Sequence, residues 1–140
     1  VVIFITVVLC KISMNGLTFD WDDVAITDPK VQAALAELDQ DFKQRVWYRQ
    51  SSSREGLHVM IAELDYDTLF GLILNPVTLP LETQFAYRSK YGEAPWSLEC
   101  QGRFFSDQVR AAEGFRTSRV FMSKNGLSAG PWKCYGCEEE

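Results

Sequence analysis

The residues best suited to chemistry are Asp20, Asp22 and Asp23 in Phe19-Asp20-Trp21-Asp22-Asp23, and His58, the single histidine of the chain. Leu17, Phe19 and Trp21 alternate with Thr18, Asp20 and Asp22, the period of a half-buried strand. Residues two apart share a face, so Asp20 and Asp22 present two carboxylates side by side. Hard divalent cations such as Mg²⁺ or Mn²⁺ prefer oxygen ligands, and two carboxylates without a cation repel each other. Asp23 points the other way unless the strand has ended. A solvated strand end leading into a turn is the alternative. His58 follows Ser51-Ser52-Ser53-Arg54-Glu55-Gly56. Such a turn offers hydroxyls and backbone N–H groups to phosphate oxygens, with Arg49 and Arg54 adding charge. The alternative is a loop followed by a histidine with one structural hydrogen bond.

The elements that must position these groups can be read from spacing. Thr27 or Asp28 can cap a helix with Pro29 in its first turn, and Val31, Ala34, Leu35, Leu38 and Phe42 form its apolar stripe. Arg45–Gln50 reads as a strand and 51–56 as a turn. Leu57–Glu63 reads as a second strand, with Leu57, Val59 and Ile61 on one face and His58 and Met60 on the other. The pattern predicts a short helix over 67–74 stopped by Asn75-Pro76, and a helix from Thr78 to about Tyr91-Gly92. It also predicts a strand over 96–100, a helix from Ser106 to about Glu113, and a strand over 117–123. Asn125-Gly126 is a hairpin turn signal, and the tail to Trp132 reads as a last strand. The order β-α-β-β-α-α-β-α-β-β implies an α+β fold, a single sheet covered by helices with a ferredoxin- or RRM-like kernel.

The chain has 140 residues, 46% apolar and 24% charged, with net charge −5. That suits one folded domain and excludes a uniformly basic nucleic-acid binder. No internal repeat or linker divides residues 14–140. The acids Asp20, Asp22, Asp23, Asp28, Glu37, Asp39 and Asp41 crowd the first part. Arg88, Lys90, Arg103, Arg110, Arg116, Arg119, Lys124 and Lys133 dominate the later part. A cation near the first half and a polyanion near the second would suit that split, as would random surface charge. Phe104, Phe105 and Phe115 lie among Arg103, Arg116, Arg119 and Lys124, a mixture used by single-strand binders, although such Phe residues also build cores.

Cys10, Cys100, Cys134 and Cys137 are scattered, and Cys134-x-x-Cys137 lacks the second ligand pair of a zinc site. Unpaired thiols and a cytoplasmic location are expected. Val1–Leu9 is apolar but too short to span a bilayer, so no membrane association is expected. Residues 1–13 read as a buried strand, a truncated upstream segment or a translated leader, and Met14 is a possible start. The chain has no Walker-type phosphate loop, no GxSxG elbow and no second histidine for a paired-histidine motif.

Taken together, the Asp-x-Asp strand and the Ser/Gly-bounded histidine strand resemble the archaeo-eukaryotic primase and primase-polymerase superfamily. Small replication proteins of archaeal plasmids and viruses are the nearest kind. Phe19-Asp20-Trp21-Asp22 is similar to that family's metal-binding motif, and Ser51 to Val59 to its nucleotide-binding motif. The resemblance implies metal-dependent nucleotidyl transfer in DNA replication, with Asp20, Asp22 and His58 catalytic. Asp20 and Asp22 would hold Mg²⁺ or Mn²⁺, with Glu99 the nearest third ligand and Asp65 the other candidate. Ser53, His58, Arg49 and Arg54 would bind the nucleotide, and Arg103, Arg116, Arg119 and Lys124 the nucleic acid. The implied partners are nucleoside triphosphates, single-stranded or primed DNA and other replication proteins. A different function for the same kernel is non-catalytic single-strand binding, with Trp47 or Tyr48 stacking bases.

Overall fold

The computed structural model describes residues 16–51, 55–69, 71–112, 123–124, 127–128 and 130–137. Its elements in chain order are β1 (Thr18–Asp22), α1 (Pro29–Asp41), β2 (Val46–Gln50), β3 (Gly56–Thr68), β4 (Gly71–Pro76), α2 (Leu81–Gly92) and α3 (Gln101–Ala112). Three two-residue strands follow: β5 (Ser123–Lys124), β6 (Leu127–Ser128) and β7 (Lys133–Cys134). The fold is α+β. A five-stranded sheet runs β1-β3-β2-β7, with β4 paired to the far half of β3, and every pair is antiparallel.

Alternation on β1 and β3 divides the sheet into two faces. Leu17, Phe19, Trp21, Leu57, Val59 and Ile61 point to one side, where they meet Val31, Ala34, Leu35 and Leu38 of α1 and Tyr91 of α2. This is the core. Phe19, Trp21 and Tyr91 form a mutual aromatic cluster within it, with ring centroids 5.3–6.0 Å apart. The opposite face carries Thr18, Asp20, Asp22, Trp47, Arg49, His58 and Met60.

α1 forms as the spacing predicts. Asp28 caps it by accepting from the Lys30 backbone N–H at 2.9 Å, and Pro29 opens the first turn. β1 stops at Asp22 because Asp23 takes φ 55°, a left-handed conformation that aspartate tolerates better than most residues. Strict alternation therefore does not extend to Asp23. Gly56 has a specific cause. It sits opposite Asp22, and a Cβ there would lie 2.3 Å from the Trp21 carbonyl oxygen. Only glycine lets β1 and β3 approach this closely at the Asp22 end.

Four expectations are corrected. The short helix expected over 67–74 is the hairpin formed by the end of β3 and β4, with Leu64 opposite Leu74 and a register shift before Tyr66. β-branched Ile73 and the cross-strand pairing outweigh the weak helical spacing there. The strand expected over 96–100 is reduced to one antiparallel bridge, Trp21 to Glu99. α3 begins at Gln101, so Ser106 lies inside the helix and not at its cap. Cys134 and Cys137, expected as free thiols, form a disulfide. Gly136, with φ 73°, turns the chain so that their Cα atoms are 5.5 Å apart.

The Asn125-Gly126 signal agrees with the β5–β6 pairing that flanks it, Lys124 opposite Leu127. The last strand, expected up to Trp132, is β7 just beyond it, paired to β2. Residues 1–13 and most of the strand expected over 117–123 lie outside the described residues. Among the described residues, no helix is long and apolar enough to cross a membrane.

Candidate functional site

Register puts the chemistry in a row. On β1, β3 and β2, Asp20 lies opposite His58, and His58 lies opposite Arg49. Asp22 is one pleat further along β1, on the same face as Asp20. Arg49 Nε donates to His58 Nδ1 at 3.0 Å. A guanidinium can only donate, so Nδ1 is an acceptor and the neutral ring carries its proton on Nε2. That nitrogen faces Asp20, 3.8 Å from Oδ1. His58 is 4% exposed and Arg49 7%. The Arg49 guanidinium lies 4.4 Å from the centroid of the Trp132 ring, a stacked cation–π contact from the C-terminal segment.

The electrostatics follow from burial. His58 is pushed down to about 4, first by burial and then by the positive charges of Arg49 and Arg103. It is neutral at pH 7, a donor through Nε2 and not a cation. Burial also lowers Arg49 from its ordinary value. The Asp22 carboxyl is raised, by partial burial first and then by the negative charges of Asp20 and Asp23. Contact with the Cys100 thiol and the charge of Arg103 oppose that rise. Three carboxylates at one strand end are thus crowded, and Arg103 offsets only part of their repulsion.

Glu99 is placed differently from the expectation. A residue paired across a bridge shares its partner's face. Glu99 is bridged to Trp21, and its carboxylate accepts from the Asp20 backbone N–H; it is not in line with the Asp20 and Asp22 side chains. Its side chain is fully buried. Oε1 receives Arg88 Nε at 2.9 Å and Arg103 Nη1 at 3.3 Å. Arg88 also donates to Asp107 at 2.6 Å through Nη1. Burial pushes Glu99 up to about 7, while Arg88 and Arg103 pull it down. Glu99 serves this buried ion-pair network, which ties α2 and α3 to the edge of β1. Cys100, the next residue, is the one that meets Asp22. Asp65 lies exposed on the hairpin half of β3. Among the described residues, no three His, Cys, Asp or Glu side chains are grouped to hold a metal ion. Asp20 and Asp22 remain as a pair of potential oxygen donors.

The other proposed contacts divide three ways. Arg103 is drawn into the Glu99–Asp107 network. Trp47 is 6% exposed and its Nε1 donates to the Ala62 carbonyl at 2.9 Å, while Tyr48 packs against the core. The Trp47 ring is thus closed to base stacking, and the Tyr48 ring is partly buried. Ser53, Arg54, Arg116 and Arg119 lie outside the described residues, as does the side chain of Lys124.

Sequence reasoning missed Trp132 and Cys100, because neither belongs to a periodic run with the acids. The only available signals were aromatic character beside a strand end for Trp132 and proximity to Glu99 for Cys100. No family model, curated protein or solved structure matches this chain.

Proposed function

We propose that the polar face of the sheet is a divalent-cation-dependent nucleotide site of a nucleotidyltransferase resembling the primase-polymerase core. The observation that carries this reading is the in-register row Asp20–His58–Arg49, with Asp22 beside Asp20 on the same face. The crowding that raises Asp22 is a donor-set property that a cation would relieve, so the residues present fit such an ion. Asp20 and Asp22 would hold it. A bound Mg²⁺ or Mn²⁺ would neutralise phosphate charge and favour ionisation of an attacking hydroxyl. The chain's own groups then have separate tasks. His58 offers its Nε2–H to a phosphate oxygen without adding a charge. Arg103 supplies positive potential near Asp22 and His58. Gly56 keeps the two strands close enough for the row to exist.

The finer fold follows the same reading. The order β1-β3-β2, with α1 between β1 and β2, supports a ferredoxin- or RRM-like kernel. The Glu99 bridge stands on the far side of β1, where a fourth strand would lie. DNA replication is the role this reading implies, with nucleoside triphosphates and primed or single-stranded DNA as substrates. The burial of Trp47 favours this reading over the non-catalytic alternative in which Trp47 or Tyr48 stacks bases.

Calorimetric titration of Mn²⁺ and Mg²⁺ tests this on the wild type and on Asp20→Asn/Asp22→Asn, with and without a nucleoside triphosphate. Cation binding that strengthens with nucleotide and disappears in the double variant is expected. Equal binding by both proteins, or none by either, would overturn the assignment.

A further inference from the structure

We propose that Arg49 and Trp132 are positioning residues for His58, fixing one ring tautomer so that Nε2 is a hydrogen-bond donor held toward Asp20. The role of that donor rests on the nucleotide-site reading; the geometry that fixes it does not.

Neutral imidazole has one donor nitrogen and one acceptor, and its two tautomers are close in energy in water. The Arg49 Nε–H donates to Nδ1 at 3.0 Å, in a region where both side chains are almost wholly buried. A ring with its proton on Nδ1 would set two N–H groups against each other, an expensive arrangement away from water. The tautomer is therefore dictated by Arg49. The 3.8 Å between Nε2 and Asp20 Oδ1 exceeds a direct hydrogen bond. Nε2–H is thus not spent on Asp20, and it stands beside a carboxylate with 30% of its side chain exposed.

Arg49 in turn has to be held. A four-bond side chain on a sheet face has many rotamers, and ordering it needs more than its hydrogen bond to a neutral ring. Trp132 supplies one such constraint, its ring centroid 4.4 Å from the guanidinium carbon. Its own position is set by backbone pairing along β2. Gly130 N–H donates to the Gln50 carbonyl at 2.9 Å, and Tyr135 N–H donates to the Val46 carbonyl at 2.8 Å. Between them, Trp47 pairs with Cys134 and Tyr48 with Lys133. The C-terminal segment thus acts on the site through a chain of two contacts, Trp132 to Arg49 and Arg49 to His58. This makes Trp132, remote in sequence from the acids, a determinant of what His58 can do.

Because His58 is the only histidine, its ring ¹⁵N resonances need no assignment among others. Long-range ¹H–¹⁵N correlation on the full chain at neutral pH reads the tautomer directly. The expected wild-type spectrum shows one tautomer, protonated at Nε2. Arg49→Met keeps the aliphatic bulk and removes the donor, so the two nitrogen shifts should move toward a tautomer average. Arg49→Lys restores a donor and should restore the wild-type pattern. Trp132→Ala should move the shifts in the same direction as Arg49→Met. Should Arg49→Met fail to fold, the wild type and Arg49→Lys still decide the tautomer, and Trp132→Leu replaces Trp132→Ala. A wild-type ring protonated on Nδ1, or averaged shifts, would overturn the proposal, as would an unaltered tautomer in folded Arg49→Met or an unaltered ring in both Trp132 variants. Adding Mg²⁺ with dATP to the wild type separates the two levels. A shift at Nε2–H, with dATP affinity reduced several-fold in Trp132→Ala, supports both. The expected tautomer with no response to dATP upholds the positioning and sinks the nucleotide reading.

Discussion

The burial of a neutral His58 has a consequence for stability that can be worked out with its sign. The ring titrates at about 4 in the folded protein, against an ordinary value of 6.5. Between these values the unfolded chain binds a proton that the folded chain refuses. The unfolded state then holds more protons, so stability falls as pH drops through the window from 6.5 toward 4. Integrating over that window, this group alone costs about 2 kcal/mol between pH 7 and pH 5, and nearer 3 kcal/mol by pH 4. The wild-type curve will not show it openly. Glu99 is raised from 4.5 to about 7, so the folded state holds the extra proton in an overlapping window. That contributes roughly 2 kcal/mol in the opposite sense between pH 7 and 5.

The quantity to measure is therefore a difference. His58→Asn keeps an acceptor for Arg49 in its amide oxygen but has no titration in this range. Urea unfolding of both proteins at pH 7, 6 and 5 should show the variant gaining on the wild type by about 2 kcal/mol as pH falls. If the gap between the two proteins is the same at pH 7 and pH 5, His58 titrates alike in both states, and its burial beside Arg49 is wrong.

Three further outcomes are expected. Gly56→Ala places a methyl against the Trp21 carbonyl; it should lower stability by about 2 kcal/mol or more and weaken cation binding at Asp22, both read by calorimetry. Arg88→Met leaves buried Glu99 and Asp107 with only the longer contacts to Arg103. It should cost about 3–5 kcal/mol in chemical denaturation, a loss that Arg88→Met/Glu99→Met largely recovers. Finally, Arg49→Met/His58→Leu replaces a buried polar pair by apolar side chains. Its unfolding free energy should match or exceed that of the wild type, while nucleotide binding is lost. A large loss of stability there would mean the pair serves the fold itself.

What was legible in the sequence is what repeats along it. The β1 alternation, the α1 stripe with its Asp28-Pro29 start and the opposed faces of β3 are local patterns, and their local causes survive in the folded chain. The elements that differed are governed by partners distant in sequence. Residues 67–74 join a hairpin because β3 runs on past Glu63 and offers them an edge. α2 buries Gln84, Arg88 and Tyr91, a face that no apolar periodicity reveals, because Arg88 is buried by virtue of Glu99 and Asp107. The acids and the histidine could be picked out by type and by strand face. That they stand in one row could not, because register between β1 and β3 is set by the close approach at Gly56 and by the core face as a whole.

Two buried polar systems among the described residues differ in what they imply. Arg88 and Arg103 share the Glu99 and Asp107 carboxylates, and these contacts join α2 and α3 to β1 at the Trp21–Glu99 bridge. The network has a structural task, and Glu99 belongs to it. The row on the other face is not what joins its strands. β1, β3 and β2 are already joined by their backbone ladder, and an antiparallel sheet can leave one face to water at no cost to its core. A solvated face would need only exposed polar side chains. Here His58 and Arg49 are withdrawn from water, and a histidine is kept neutral against a carboxylate pair that is itself crowded. Such an arrangement spends stability, most visibly at mildly acidic pH, where neutral or apolar residues would spend none. On the nucleotide-site reading proposed above, that loss of stability is the cost of holding the carboxylates and Nε2–H where they can bind a ligand together.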